Sequence, residues 1–301
     1  MRKGRKPFYK TLLFWELLIG GLVIAGIVIF VLIELGKPVP DVSKPDDDIY
    51  EVVEDQKQEQ QQEEEPILEA NPIGLSDFRM QGDYLSCTTA PSVLGIDIST
   101  WQTYVDWEQV KDAGVEFAII RAGYRGSETG EVYEDDHAQS HYDGATEAGI
   151  KVGVYFFSQA INVEEAEEEA RFLLEIMDGW QVDMPVVFDW EYISPNARTG
   201  KVDARTLTDC TKAFCEIIQN AGYKPMVYFN TDHSYNGIYL EELKDYGFWL
   251  AQYNTVLNYP YKIDMWQYTE TGSVPGISGD VDINLYFPWD DAESVFTEKD
   301  S

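Results

Sequence analysis

The stretch that decides the fold reads Val186-Val187-Phe188-Asp189-Trp190-Glu191-Tyr192. Apolar, β-branched and aromatic residues between Pro185 and the polar run at Pro195 predict a short buried strand. Successive side chains of a strand alternate between its two faces, so Asp189 and Glu191 share one face. Buried carboxylates cost free energy unless they are paired. The stretch therefore predicts either an acid–base pair or a strand end where both acids meet water.

The composition of the chain argues against several classes of function. Its 301 residues carry a formal net charge of −32, whereas nucleic-acid binding requires a basic face. The odd number of cysteines predicts neither a disulfide framework nor a zinc pattern, and Cys210 belongs to the apolar stripe of a predicted helix. Three histidines leave little support for a Ser-His-Asp site. The length fits one large domain with appendages, or two small domains.

The first residues of the chain predict a membrane anchor. Residues 1–10 are basic, and an apolar run follows at 12–35, interrupted by Glu16 and Glu34. At about 1.5 Å per residue this run covers the ~30 Å hydrocarbon layer. We predict a basic cytoplasmic tail over 1–10 and a transmembrane helix over 11–35. A cleaved signal peptide is the alternative, which the length of the run and the lack of an A-x-A site disfavour.

Residues 36–90 are predicted to connect this anchor to a folded domain. From Gly36 to about Pro66 the segment is rich in Asp, Glu and Gln. It buries too little apolar surface to offset its conformational entropy, which predicts a disordered acidic linker. Residues 67–90 show no clear pattern and are left unassigned within this segment. An acidic C-terminal tail is predicted over 291–301.

Strand-like and helix-like segments alternate from Pro91 onward. Glycine follows three predicted helices, at Gly114, Gly149 and Gly222, where a left-handed residue ends a helix. Alternation predicts parallel strand pairing, and about eight strands favour an α/β fold, an irregular TIM-like (β/α) barrel over 91–290. The predicted strands are 93–98, 115–122, 151–157, 184–191, 226–230, 248–253, 263–269 and 281–287. The predicted helices are 106–113, 136–148, 163–177, 204–221 and 240–246.

Four acids fall at or near the ends of predicted strands: Asp97, Asp189, Glu191 and Asp282. Barrel enzymes place their chemistry at the C-terminal ends of the strands. A closed barrel brings its first and last strands together, so we expect Asp97 and Asp282 to be neighbours. Acids that converge above one barrel mouth repel each other and raise at least one pKa. This arrangement favours a glycosidase site over a metal-free binding pocket.

Aromatic residues accompany these acids at the strand ends. Flat rings with polar edges suit the faces of sugars, although each ring alone fits core or rim packing better. As a set around the acids, the rings favour a sugar groove. They are Tyr155, Tyr228, Tyr253, Trp266 and Tyr268.

A second constellation of residues predicts different chemistry. His137 and His141 are four residues apart on a predicted helix, so both face one side. Some polysaccharide deacetylases bind zinc through such a histidine pair and an aspartate from elsewhere in the chain. The pair follows Asp135 and Asp136 and lies away from the strand ends, so we favour a solvated helix face.

A series of short motifs resembles one known family. None of them is decisive alone, but their order over 91–287 is specific. The series resembles the glycoside hydrolase family 25 lysozymes, the N-acetylmuramidases of the Chalaropsis type. The motifs are Gly95-Ile96-Asp97-Ile98-Ser99 with Trp101-Gln102, Ile119-Ile120-Arg121-Ala122-Gly123-Tyr124, Gly153-Val154-Tyr155-Phe156-Phe157, Asp189-x-Glu191, Trp249-Leu250-Ala251-Gln252-Tyr253, Trp266-Gln267-Tyr268, Pro275-Gly276-Ile277, and Val281-Asp282-Ile283-Asn284.

The resemblance implies cleavage of the β-1,4 bond between N-acetylmuramic acid and N-acetylglucosamine in peptidoglycan. It implies Glu191 as the general acid. Asp189 becomes the ionised carboxylate that stabilises an N-acetyl-assisted or oxocarbenium-like transition state. It further implies Asp97 and Asp282 as flanking acids. The implied groove walls are Tyr155, Tyr228, Tyr253 and Trp266.

These expectations combine into a tethered muramidase that acts on peptidoglycan outside a Gram-positive bacterial cell. The partners we expect are a peptidoglycan glycan strand and, through the N-terminal helix, a lipid bilayer. We expect a monomer with no metal, no cofactor and no nucleic acid. The alternative is a catalytically inactive, tethered module that binds cell-wall glycan.

Overall fold

The computed structural model describes residues 68–289 of the chain. The predicted cytoplasmic tail, transmembrane helix and acidic linker up to residue 67 lie outside these residues, as does the acidic tail over 291–301. Within 68–289, no helix has the length and apolar character that a membrane crossing requires.

Eight of the strands in the described part of the chain close into a barrel. Around it they run in the order β3, β11, β10, β9, β8, β7, β6 and β4, and β4 pairs with β3 again. The ranges are β3 Val93–Ile98, β4 Phe117–Arg125, β6 Lys151–Ser158, β7 Val186–Trp190, β8 Pro225–Asn230, β9 Gly247–Ala251, β10 Met265–Gly272 and β11 Val281–Tyr286. A short strand, β5 (Val132–Glu134), pairs with the end of β4.

Seven of these barrel strands are parallel, as the alternating pattern predicted. The exception among these eight barrel strands is β11, which is antiparallel to both of its neighbours, β10 and β3. Only residues 273–280 separate β10 from β11, and a parallel crossover requires a dozen residues or more. The expectation of parallel pairing is therefore wrong for the last strand.

Helices connect the parallel strands. They are α1 Trp107–Asp112, α2 Ala138–Glu147, α3 Val163–Ile176, α4 Ala204–Asn220 and α5 Thr231–Asn236. Gly114, Gly149 and Gly222 have φ of 92°, 71° and 92°, so the predicted helix ends are confirmed. The predicted helix over 240–246 is wrong, because only a 3₁₀ turn forms there, at Leu240–Glu242. The helix α5, which lies further upstream, is too short to show a helical period in the sequence.

Two apolar clusters show which side chains point into the barrel. Phe117 and Ile119 of β4 belong to one cluster, and the intervening Ala118 belongs to the other. The cluster of Ala118 includes residues of the helices, so it lies between the barrel and its outer layer. The cluster of Phe117 and Ile119 therefore fills the barrel interior. The acids and tyrosines of the site continue this interior series along their strands.

Residues 67–90, which the sequence left unassigned, contain a β-hairpin. Its strands are β1 Phe78–Gln81 and β2 Tyr84–Cys87. Phe78 packs edge-on against Trp266 of β10, with ring centroids 4.8 Å apart. It also contacts Phe287, which follows β11, at 6.5 Å. The hairpin thus covers the outer face of the antiparallel pair β10 and β11.

Candidate active site

An acidic cavity of about 240 Å³ opens at the C-terminal ends of the parallel strands. Because β11 runs the opposite way, its N-terminal end reaches the same mouth. The four acids predicted from the sequence all line this cavity, and Glu270 is a fifth acid that the sequence analysis missed. The carboxylates among the described lining residues are Asp97, Asp189, Glu191, Glu270 and Asp282.

Asp97 and Asp282 are neighbours across the antiparallel pair of β3 and β11, as barrel closure predicted. Burial and the charge of Asp97 raise the pKa of Asp282 to about 8. Burial raises the pKa of Asp97 to about 6, less than that of Asp282, because two side-chain amides hydrogen-bond its charged form. Asp97 is therefore a carboxylate whose charged form is held by amides, and Asp282 is the neighbour that retains its proton more readily.

The two amides belong to Gln267 and Asn284, each of which donates to Asp97 Oδ2 at 2.8 Å. Gln267 Oε1 accepts hydrogen bonds from the hydroxyls of Tyr228 and Tyr253, both at 3.1 Å. The orientation of each amide is thus fixed by its own partners, which for Asn284 include the indole of Trp249 at 2.9 Å. Neither amide was predicted as a site residue, although both lie in the quoted motifs.

Asp189 is the last residue but one of β7. It is buried, and within the described residues its Oδ1 has no hydrogen-bond partner. Burial is the largest cause that raises the pKa of Asp189 well above its ordinary value. The charges of Glu191 and Asp97 add to this rise, and Arg121 opposes it. The free cavity therefore favours the neutral form of Asp189, whereas the sequence led us to expect an ionised group.

Glu191 is the first residue beyond β7 and lines the same cavity as Asp189. Burial raises the pKa of Glu191, and the charge of Glu270 raises it further. A carboxyl group with a raised pKa keeps a proton that it can donate up to a higher pH than an ordinary carboxyl group does. The strand end thus supplies two carboxyl groups, and different neighbours control the proton affinity of each.

Comparisons with known proteins place this site in a family. The sequence model of the family described as "Glycosyl hydrolases family 25" matches residues 96–277, more than half of the chain. The chain belongs to glycosyl hydrolase family 25. This family 25 chain is therefore a glycoside hydrolase.

Relatives of the family 25 chain include proteins named as lysozymes. Lysozyme M1 of Streptomyces globisporus is 30% identical over 208 residues, which cover 64% of this chain and 67% of the relative. A bacterial lysozyme structure from Streptomyces coelicolor has 27% identity and a TM-score of 0.55, and the match covers 64% of this chain and 91% of that one.

A further solved structure contains a ligand. The modular autolysin LytC of Streptococcus pneumoniae, in complex with a synthetic peptidoglycan ligand, matches with 26% identity and a TM-score of 0.58. The match covers 65% of this chain and 47% of LytC, so the family 25 chain spans about half the length of that protein.

Three of the four predicted groove residues line the cavity: Tyr155, Tyr228 and Tyr253. Trp266 does not. Its side chain is 0% exposed, and its indole donates to the carbonyl of Gln252 at 2.8 Å. Strand alternation turns Trp266 away from the interior that its neighbour Gln267 faces. The expectation of a groove wall is therefore corrected to a core residue. The exposed Trp101 lines the cavity instead.

Arg121 is the basic residue among the described residues that line the cavity. It pairs with the buried Asp135 at 2.7 Å. Asp135 also accepts a hydrogen bond from the backbone N–H of Thr100, on the loop after β3. Because Arg121 is paired with Asp135, it only partly offsets the carboxyl groups of the cavity, which can stabilise positive charge that develops in a reaction.

His137 and His141 hold this same loop. His137 Nδ1 lies 2.9 Å from Thr100 Oγ1, and His141 Nε2 lies 3.2 Å from the carbonyl of Ser99. His141 is buried, so the expected solvated helix face is wrong for that residue. Among residues 68–289, no group of three His, Cys, Asp or Glu side chains is placed to hold a metal ion.

Proposed function

We propose that the chain is a peptidoglycan hydrolase, a lysozyme that cleaves the β-1,4 bond between N-acetylmuramic acid and N-acetylglucosamine. The observation that carries the proposal is the pair Asp189 and Glu191 in one acidic cavity of a family 25 chain. The relatives named as lysozymes support the choice of substrate. The tyrosines of the cavity supply ring faces for the sugars.

Glu191 acts as the general acid in this proposal. It donates its proton to the glycosidic oxygen while the bond from that oxygen to the anomeric carbon breaks, and the electron pair leaves with the oxygen. Burial and Glu270 raise the pKa of Glu191, which keeps the proton available before bond cleavage. Water then completes the hydrolysis at the anomeric carbon.

Asp189 stabilises the positive charge of the transition state, whether an N-acetyl group assists it or it resembles an oxocarbenium ion. In the free cavity the pKa of Asp189 is raised well above its ordinary value. A cation beside a carboxyl group lowers its pKa. We therefore propose that Asp189 gives up its proton to solvent water and ionises as positive charge develops next to it. Asp97 and Asp282 flank the pair, and Asp97, whose charged form two amides hold, adds to the negative potential.

Glu191→Gln tests the proton donor. We expect hydrolysis of purified peptidoglycan to fall by about 10³-fold, within the range for loss of a general acid, so that a zymogram shows no clearing. Asp189→Asn is expected to cause a loss of similar size. The matched control is Glu175→Gln, an exposed acid on α3, which should clear like the parent chain.

Lysis by Glu191→Gln at the parent rate would contradict the assignment of the general acid. Near-normal turnover by Asp189→Asn would remove Asp189 from the mechanism. A parent chain that binds purified peptidoglycan and leaves it intact would support the tethered glycan-binding module instead.

We further propose that the chain is a single-pass protein of the bacterial cell membrane, with its N-terminus in the cytoplasm and its barrel outside. The basic tail followed by an apolar run supports this orientation. Expression of the chain with and without residues 1–35, followed by cell fractionation and external protease treatment, tests it. A full-length chain found in the soluble fraction would contradict the tether.

A further inference from the structure

We propose that Gln159 is a positioning residue for Glu191, which it holds through the backbone of Glu191. The inference rests on the proposed function, because it matters only where the direction of the Glu191 carboxyl group decides the rate. Gln159 was not singled out in the sequence, and it lies outside the acidic cavity, one residue beyond the end of β6.

The position of Glu191 in the sheet explains why it requires support. The ladder between β6 and β7 ends with the pair Ser158 and Trp190. The next pair along the ladder would be Gln159 and Glu191, but both strands end before it. Glu191 therefore lies one residue beyond the last pair of this ladder.

The side chain of Gln159 binds the backbone of Glu191 just beyond the end of the ladder. Its Nε2 donates to the carbonyl oxygen of Glu191 at 2.8 Å and to the carbonyl oxygen of Ser158 at 2.9 Å. One amide group thus connects the ends of two neighbouring strands. This bond extends the alignment of β7 by one residue, to Glu191, the proposed proton donor.

Gln159 is itself held on its other side. Its side chain is fully buried, and its Oε1 accepts from the hydroxyl of Thr199 at 3.4 Å. Its backbone carbonyl accepts from the guanidinium of Arg198, which forms two hydrogen bonds to Glu165, at 2.9 and 2.7 Å. Glu165 lies in the first turn of α3. A buried amide with partners on both sides has one stable orientation.

The Glu191 carboxyl group depends on this support. Among the described residues, no side-chain hydrogen bond holds that carboxyl group in the free cavity. Its direction is therefore set by the backbone from which it projects. A shift of about 1 Å in a catalytic group is large enough to lower a rate about 100-fold. The bond from Gln159 to the Glu191 carbonyl is thus expected to affect the chemical step rather than sugar binding.

Gln159→Met tests the inference with soluble peptidoglycan oligomers as substrate. Methionine has a similar length and removes the amide. We expect kcat to fall about tenfold or more, because alignment is lost, while KM stays within about twofold, because the cavity walls are unchanged. The matched control is Gln219→Met, an exposed glutamine on α4, which should leave both constants unchanged.

A double-mutant cycle separates positioning from a general loss of structure. If Gln159 acts through Glu191, Gln159→Met should lower the residual rate of Glu191→Gln by less than about twofold, because the effects of residues that act as one unit are not additive. Thr199→Val is a milder second variant, since it keeps the side-chain shape and removes only the hydroxyl that holds Gln159. It should lower kcat about twofold to threefold with an unchanged KM, as expected for one neutral hydrogen bond.

The outcomes distinguish this inference from the proposed function. A parent chain with no hydrolytic activity overturns the proposed function, and the positioning role with it. An active parent with an unchanged kcat in Gln159→Met overturns only the positioning role. The positioning role is also overturned if Gln159→Met changes KM instead of kcat. It is overturned as well if Gln159→Met lowers the rate equally with and without Glu191. Should Gln159→Met fail to fold, the kcat of Thr199→Val decides the question.

Discussion

Asp189 and Glu191 leave the same strand end, but different groups set their proton affinities. Burial raises both pKa values. Beyond burial, Asp189 responds to three other carboxylates of the cavity and to the opposing charge of Arg121. Glu191 responds to Glu270, an acid on β10 at the exposed edge of the cavity. The proton affinity of Glu191 can therefore be changed by a substitution that leaves both carboxyl groups in place.

Glu270→Gln tests whether the charge of Glu270 controls the proton affinity of Glu191. It removes a negative charge that raises the pKa of Glu191, so the protonated form of Glu191 should be lost at a lower pH. We expect the basic limb of kcat/KM against pH, which reports the free enzyme, to move toward lower pH. Glu175→Gln, outside the cavity, should leave the limb in place. An unmoved limb in Glu270→Gln would contradict the electrostatic role of Glu270.

At the scale of elements, the hairpin β1–β2 takes the place of a helix. The connection from β10 to β11 is too short for a crossover helix, so the outer face of these strands needs another cover. Phe78 supplies part of it through Trp266 and Phe287. The hairpin precedes the residues that match the family, yet its Leu85 and Cys87 belong to the apolar cluster on the outside of the barrel.

Phe78→Ala tests this role. Loss of a partly buried ring that contacts two aromatic residues should lower the free energy of unfolding by about 2 kcal/mol. Urea unfolding at constant pH measures the change. Met80→Ala is the control in the same strand, because Met80 is 55% exposed and its loss should cost less than about 0.5 kcal/mol. Equal effects of the two substitutions would contradict packing of the hairpin on the barrel.

At the scale of the whole molecule, buried acids couple stability to pH. The pKa is raised to about 6 for Asp97, about 7 for Glu169 and about 8 for Asp282. Below the ordinary carboxyl pKa values of 3.8 and 4.5, these groups are neutral in both the folded and the unfolded state. Above those values the folded state binds more protons, so stability falls as the pH rises toward about 8.

We therefore expect a higher Tm at about pH 5 than at about pH 8. Asp189→Asn should raise the Tm at the higher pH and so reduce the difference, because it removes a carboxyl group that resists ionisation. Asp77→Asn is the control. The pKa of Asp77 is lowered by the Gly74 backbone N–H, so its loss should lower the Tm equally at both pH values. Calorimetric scans that show no fall in Tm between the two pH values would contradict this account.

The sequence by itself determined the local elements and the direction of many side chains. Strand alternation placed Asp189 and Glu191 on one face, and barrel closure made Asp97 and Asp282 neighbours. Glycine at the helix ends set three boundaries correctly. The same alternation places the buried Trp266 and the cavity-facing Gln267 on opposite faces of β10. The prediction of Trp266 as a groove wall was therefore wrong. These features follow from residues close together in the chain.

Only the tertiary structure decided how the site is held and charged. The amides on Asp97 come from residues 170 and 187 positions away, and the residues that Phe78 of the hairpin contacts are still more distant. No local period encodes such pairs, because a side chain's distant neighbours depend on how the barrel closes. The raised pKa values have the same origin, since burial and converging charges exist only in the folded chain. The sequence identified four of the five acids, and the closed barrel determines which of them keep a proton.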